Sequence, residues 1–154
     1  MGITLRTKFN DFQATIKAEA YRVEAEYTRA FARLGEECVR RVRDREEIKS
    51  WFDQTGNLRS SVGYIIVRNG VIVGSSEFPI VKNGGEGQTE GREYAESLAR
   101  NYANKQLALI VVAGMNYADY VEAKDNKDVL ASTEDWVKLE APKIEDKLLE
   151  RLKR

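Results

Sequence analysis

Asp119 and Glu122 are the two carboxylates whose spacing could do chemistry. Three residues apart on a helix, they share one face and could hold a proton or a divalent cation between them. A working acid–base pair needs a pocket that splits the two pKa values, and the short polar stretch around them offers none. Two solvated carboxylates are the expectation. Ser60 and Ser61 are adjacent hydroxyls, but the chain has no histidine to activate them. The same absence removes the commonest transition-metal ligand. Cys38 is the single cysteine, which excludes an internal disulfide and a thiolate zinc cluster. It falls on an apolar helical stripe, so a buried structural thiol is expected. No catalytic residue, no cofactor and no metal site follow from these residues.

Composition narrows the partners. With 25 basic and 25 acidic residues among 154, the chain has no net field to draw in nucleic acid or an anionic membrane. No apolar run approaches the roughly 20 residues of a membrane span, and no signal peptide opens the chain. A single, helix-rich domain of a cytoplasmic protein, or one assembled in a cytoplasm, is expected from length and charge content.

The elements that must position any site are legible from periodicity. Phe9, Phe12, Ile16, Ala20, Val23, Tyr27, Phe31, Leu34, Cys38 and Val42 step by three and four, predicting one long amphipathic helix over residues 7–49. Unbroken, it would run on the order of 65 Å. Gly35 is the expected bend, and the helix is expected to lay Phe12, Ile16, Val23, Tyr27 and Phe31 on a sheet. The arginines at 40, 41, 43 and 45 alternate with acidic residues and read as a solvated face rather than a phosphate contact.

Residues 61–75 form a hairpin around Asn69-Gly70, the pair that a type I′ turn demands. Counting from the turn pairs Arg68 with Val71, Val67 with Ile72, Ile66 with Val73 and Ile65 with Gly74. Both faces of the hairpin are apolar, so both need cover from helices or from a neighbouring subunit. Residues 75–91 read as a mobile loop, since the glycine run there lacks the Gly-Lys-Ser/Thr of a phosphate loop. A helix over 90–104, with Tyr94, Leu98 and Tyr102 on one side, leads to an interior strand at 106–114. Ser132 or Thr133 caps a last helix over 132–153, kinked or divided at Pro142. The fold class is α+β, a small mainly antiparallel sheet packed by helices.

Two segments resemble a known family. Thr55-Gly56-Asn57-Leu58-Arg59-Ser60-Ser61-Val62, after the long helix, is similar to a T-G-x-L-R-x-S-I segment. Tyr117-Ala118-Asp119-Tyr120-Val121-Glu122, after a strand, is similar to Y-A-x-Y-V-E. Both segments, in this order, occur in the small head–tail joining proteins of lambda-like siphophages, their tail-completion or minor tail components. Where the family often has a glycine after the glutamate, this chain has Ala123-Lys124-Asp125. The resemblance implies a non-enzymatic neck protein of the virion. Such a protein assembles with itself as a ring, often sixfold, between the head connector and the tail tube.

Physics assigns the motif residues work of their own. Gly56 permits a tight turn, Leu58 can anchor it, and Arg59 can reach a carboxylate across an interface. Ser61 follows in the same segment, while Tyr117, Tyr120, Val121 and Glu122 place bulky amphipathic surface on one short helix. Whether they serve the fold or a partner stays open at this point. The rival expectation is a cytosolic partner-binding module, regulatory or toxin-neutralising, with the first helix as its arm.

Overall fold

A computed structural model describes residues 9–45, 52–104, 107–123 and 128–154. Helix α1 spans Phe9–Arg43, and the short α2 spans Asn57–Ser60. Strands β1 (Val62–Arg68) and β2 (Val71–Ser75) make the hairpin. Helix α3 (Gly85–Ala99) runs on into a 3-10 turn at Arg100–Tyr102. Strand β3 (Ala108–Ala113), helix α4 (Ala118–Ala123) and helix α5 (Ala131–Leu152) complete the chain. The fold is α+β, as the periodicity predicts.

The sheet has the order β2-β1-β3, with β1 antiparallel to both neighbours. Its turn has positive φ at Asn69 and Gly70, the conformation expected of that dipeptide. Arg68–Val71 and Val67–Ile72 pair as counted, but then the register slips, so that Ile66 faces Gly74 and Ile65 faces Ser75. One extra residue in β2 is a β-bulge, which no pattern of apolar residues announces. Beyond it Ser76 continues the pairing, its N–H donating to the Tyr64 carbonyl and its Oγ accepting the Tyr64 N–H, both at 2.9 Å.

β1 is buried on both faces because helices cover both. Val62, Tyr64 and Ile66 join Val39 and Val42 of α1 and Leu58 of α2 in one core, which Ala118 of α4 completes. Ile65 and Val67 look the other way, onto Phe78 and Ala95 and Ala99 of α3. No neighbouring subunit is needed to cover the central strand. β2, by contrast, is an edge whose Val71, Ile72 and Val73 are exposed.

Several expectations change. Residues 85–91 are the first turns of α3 and not loop, and the helix ends at Ala99 rather than 104. Its contact face is Gly87, Gly91, Ala95 and Ala99, with Tyr94 exposed instead. The small residues explain why. A Cβ on Gly87 would sit 1.9 Å from the Asn57 carbonyl oxygen, and one on Gly91 would sit 2.5 Å from that of Ser61. The glycine run therefore lets backbone pack on backbone. α1 runs unbroken through Gly35, whose missing side chain admits the Tyr64 ring, which a Cβ would meet at 2.6 Å. Helix α5 starts one residue before the expected cap and continues through Pro142. It lies antiparallel along α1: Arg41 stacks over Trp136 at 3.9 Å, and Arg22 donates to the Leu152 carbonyl at 3.3 Å.

The largest correction concerns the stripe of α1. Leu34, Cys38, Val39 and Val42 are buried, and Val23, Tyr27 and Phe31 are half-buried. Phe12 and Ile16, expected on the sheet, are 52% and 54% exposed. The first turns of the helix reach past the sheet, and among the described residues their apolar face stays exposed. The part of the predicted helix over 46–49, and Trp51, lie outside the described residues.

Candidate functional site

The first motif begins one turn earlier than its sequence suggests. Asp53, just 4% exposed, accepts the Gly56 N–H on Oδ1 at 3.0 Å and the Arg59 N–H on Oδ2 at 2.9 Å. Its carboxylate thus satisfies donors at the start of α2 that would otherwise be buried unpaired. Thr55 Oγ1 accepts the Asn57 N–H at 3.2 Å. Gly56 adopts a φ of 85°, and a Cβ there would lie 1.9 Å from the Val81 carbonyl oxygen, so glycine is required twice over. Leu58 is fully buried in the core under α1.

Arg59 turns back onto its own chain at one contact at least. It is 8% exposed, and its guanidinium donates to the Arg43 carbonyl at the end of α1. Ser60 Oγ accepts the Val81 N–H at 2.8 Å, while Ser61 Oγ donates to the Leu58 carbonyl at 2.8 Å. Asn57 closes the circle onto α3, its Nδ2 donating to Glu86 at 2.9 Å and its Oδ1 accepting the Gly87 N–H at 3.3 Å. One short segment therefore fastens the end of α1, the 79–82 crossing and the start of α3 around the entry to β1.

The second motif is a joint of the same kind. Glu122 Oε1 accepts the N–H groups of Leu130 and Ala131 at 2.9 and 2.7 Å, capping α5 from outside. A carboxylate at a helix N-terminus also meets the positive end of the helix dipole. Ser132 and Thr133 are not the cap. Ser132 donates its N–H to Asp128 at 3.1 Å, and the hydroxyls of both accept from Arg45. Arg45 also pairs with the Asp128 carboxylate at 2.7 Å, so the arginine run ends in a clamp between α1 and α5. Arg43 donates to the Pro79 carbonyl at 2.7 Å; of the expected solvated face, Arg40, with Glu37 at 2.7 Å, is the clear member.

Val121 is half-buried against the core, and Tyr117 is at the boundary of exposure. Burial, and then the carboxylates of Asp53, Glu86 and Glu90, hold the Tyr117 hydroxyl above its ordinary pKa. Tyr120 lies on α4. Asp119 is exposed, and Glu122 is committed to two backbone donors. Cys38 is buried, with its thiol pushed up to about 11 by desolvation. Among the described residues no group of three potential metal ligands gathers, and no helix is long and apolar enough to cross a membrane.

Comparison of the chain with protein-family models, curated proteins and solved structures finds no match. The geometry is left to speak for itself. What it offers is surface. An open groove of about 810 Å³ is lined by charges of both signs, including Arg33, Glu36, Arg40 and Asp44. A second groove of about 680 Å³, between α1 and the hairpin tip, is lined by Val23, Tyr27, Phe31, Asn69 and Leu107. Sequence reasoning missed Asp53 as a cap, though its place three residues before Gly56 and six before Arg59 is a readable signal.

Proposed function

We propose that this chain is a non-enzymatic structural protein of a tailed phage or prophage, a tail-completion or neck component that joins head connector to tail tube as a ring of copies. The observation that carries the reading is the placement of the two resembling segments. Each stands at a joint, one where the chain leaves α1 for the sheet and one where it leaves the sheet for α5, and each is committed to backbone groups of its own chain. Residues so used set the scaffold, and the partner-facing surface then consists of what the joints leave outside: the β2 edge and the projecting turns of α1. Gly84 and Gly87 lie outside that surface, because they pack on α2 and the turn before it.

The second reading, a partner-binding module with the first helix as its arm, is favoured by the exposure of Phe12 and Ile16 on that helix. Disrupting the gene and imaging the resulting particles separates the two. A neck role predicts filled heads and finished tails that remain apart, and rejoining when the gene is supplied in trans. Normal joined particles, or flanking genes with no portal, capsid or tail proteins among them, would end the first reading.

A further inference from the structure

From Phe12 to Val42 the apolar steps of α1 run four, four, three, four, four, three, four, four. That repeat averages close to the natural turn of a helix, so the stripe keeps nearly one line instead of winding around it. The sheet covers the C-terminal part of the line and stops at the groove formed by Val23, Tyr27, Phe31 and Leu107. Phe12, Ile16 and Ala20 continue the same line into solvent.

The uncovered part fits itself when reversed. Turning the helix end for end about Ala20 carries Ile16 to within a residue of Val23 and Phe12 to within a residue of Tyr27. The charges on the flanks of the stripe obey the same reversal. Lys17 comes to Glu24 and Glu19 to Arg22, each within a residue and each a pair of opposite sign. A two-fold axis across an antiparallel helix pair brings like flanks together, so partners must share a flank. Glu19 and Arg22 do, since they already bridge at 2.9 Å along the helix; Lys17 and Glu24, two turns apart, do as well. Ala20 at the axis is small enough for close approach.

We infer that the stripe of α1 over residues 12–31 is a homodimer interface, occupied by the same stripe of a second copy running antiparallel across Ala20. Phe12 of each copy enters the other's groove between Tyr27, Phe31 and Leu107. Lys17 meets Glu24 of the second copy, which Arg68 already holds at 3.1 Å, so that a short chain of alternating charges closes the rim. The pairing stands on the pattern of α1 alone and does not depend on the phage reading.

Sedimentation equilibrium or native mass spectrometry of the purified chain, from about 1 to 200 µM, tests it. A monomer–dimer equilibrium is expected. Ile16→Asp, at an exposed position outside the core, should raise the dissociation constant on the order of a hundredfold, about tenfold for each of its two copies, with circular dichroism of the fold unchanged. Ala20→Cys should form a disulfide-linked dimer on mild oxidation, while Cys38 stays buried. Lys17→Glu and Glu24→Lys should each weaken pairing, and together restore it. A monomer throughout the range would overturn the inference, as would an oligomer of any size that is indifferent to Ile16→Asp or one in which Ala20→Cys fails to cross-link.

Discussion

The two halves of α1 share one stripe and one helix but not one environment. Around Leu34, Gly35 and Cys38 the helix is pressed against Tyr64, and its end is fastened by Arg59 and Arg45. Around Phe12 and Ile16 the same apolar spacing faces water. Periodicity tells which face of a helix is apolar; what covers that face is decided by where the rest of the chain can reach. Here the sheet has strands of five to seven residues, and a helix of 35 residues outruns it.

The sharpest way to break the comparison is a matched pair of truncations. Leu34→Ala should cost about 2–5 kcal/mol, the range for a buried leucine leaving a cavity. Ile16→Ala, measured at a concentration where the protein is monomeric, should stay within about 0.5 kcal/mol. Equal losses in urea melts would mean the stripe is covered throughout. Next in size is Gly35→Ala. On an exposed helix this change stabilises by about 1 kcal/mol. Against the Tyr64 ring it should instead destabilise by about 1–3 kcal/mol through overpacking. A gain in stability would put Tyr64 elsewhere.

Smaller still is Tyr64→Phe. The hydroxyl donates to Glu36 at 3.0 Å, and burial first, then that carboxylate, push it up to about 12. Losing the bond should cost about 0.5–1.5 kcal/mol. The smallest effect is an acid one. At Asp128 burial works to raise the carboxyl, but hydrogen bonds from Ser132 and the Arg45 guanidinium outweigh it and hold the group below its ordinary value. A depressed carboxyl gives stability that is full above about pH 4 and disappears as pH falls through the folded value. Asp128→Asn should therefore flatten the acid limb of the stability curve below about pH 4, leaving the slope at neutral pH unchanged.

The sequence made the elements readable wherever a period or a turn dipeptide carried them: α1, the hairpin, β3 and α5. It misled where the cause is three-dimensional. Gly87 and Gly91 look like loop because nothing local shows that the backbones of Asn57 and Ser61 must come within contact of them. The slip between Ile66 and Val67 leaves no mark on an apolar alternation. The contacts of the motif residues were hidden, because Arg59 binds a carbonyl sixteen residues back and Glu122 caps a helix eight residues on. Long-range partners of this kind have no sequence signature of their own.

Hydrogen exchange across α1, followed by mass spectrometry at several protein concentrations, tests the division most directly. Isolated turns of helix without tertiary cover are marginal and open readily. Amides over 34–43 should exchange slowly, only through global unfolding, and at a rate that barely changes with concentration. Amides over 12–22 should exchange fast in dilute solution and become protected as the protein is concentrated. Equal, concentration-independent protection of both halves would contradict the account.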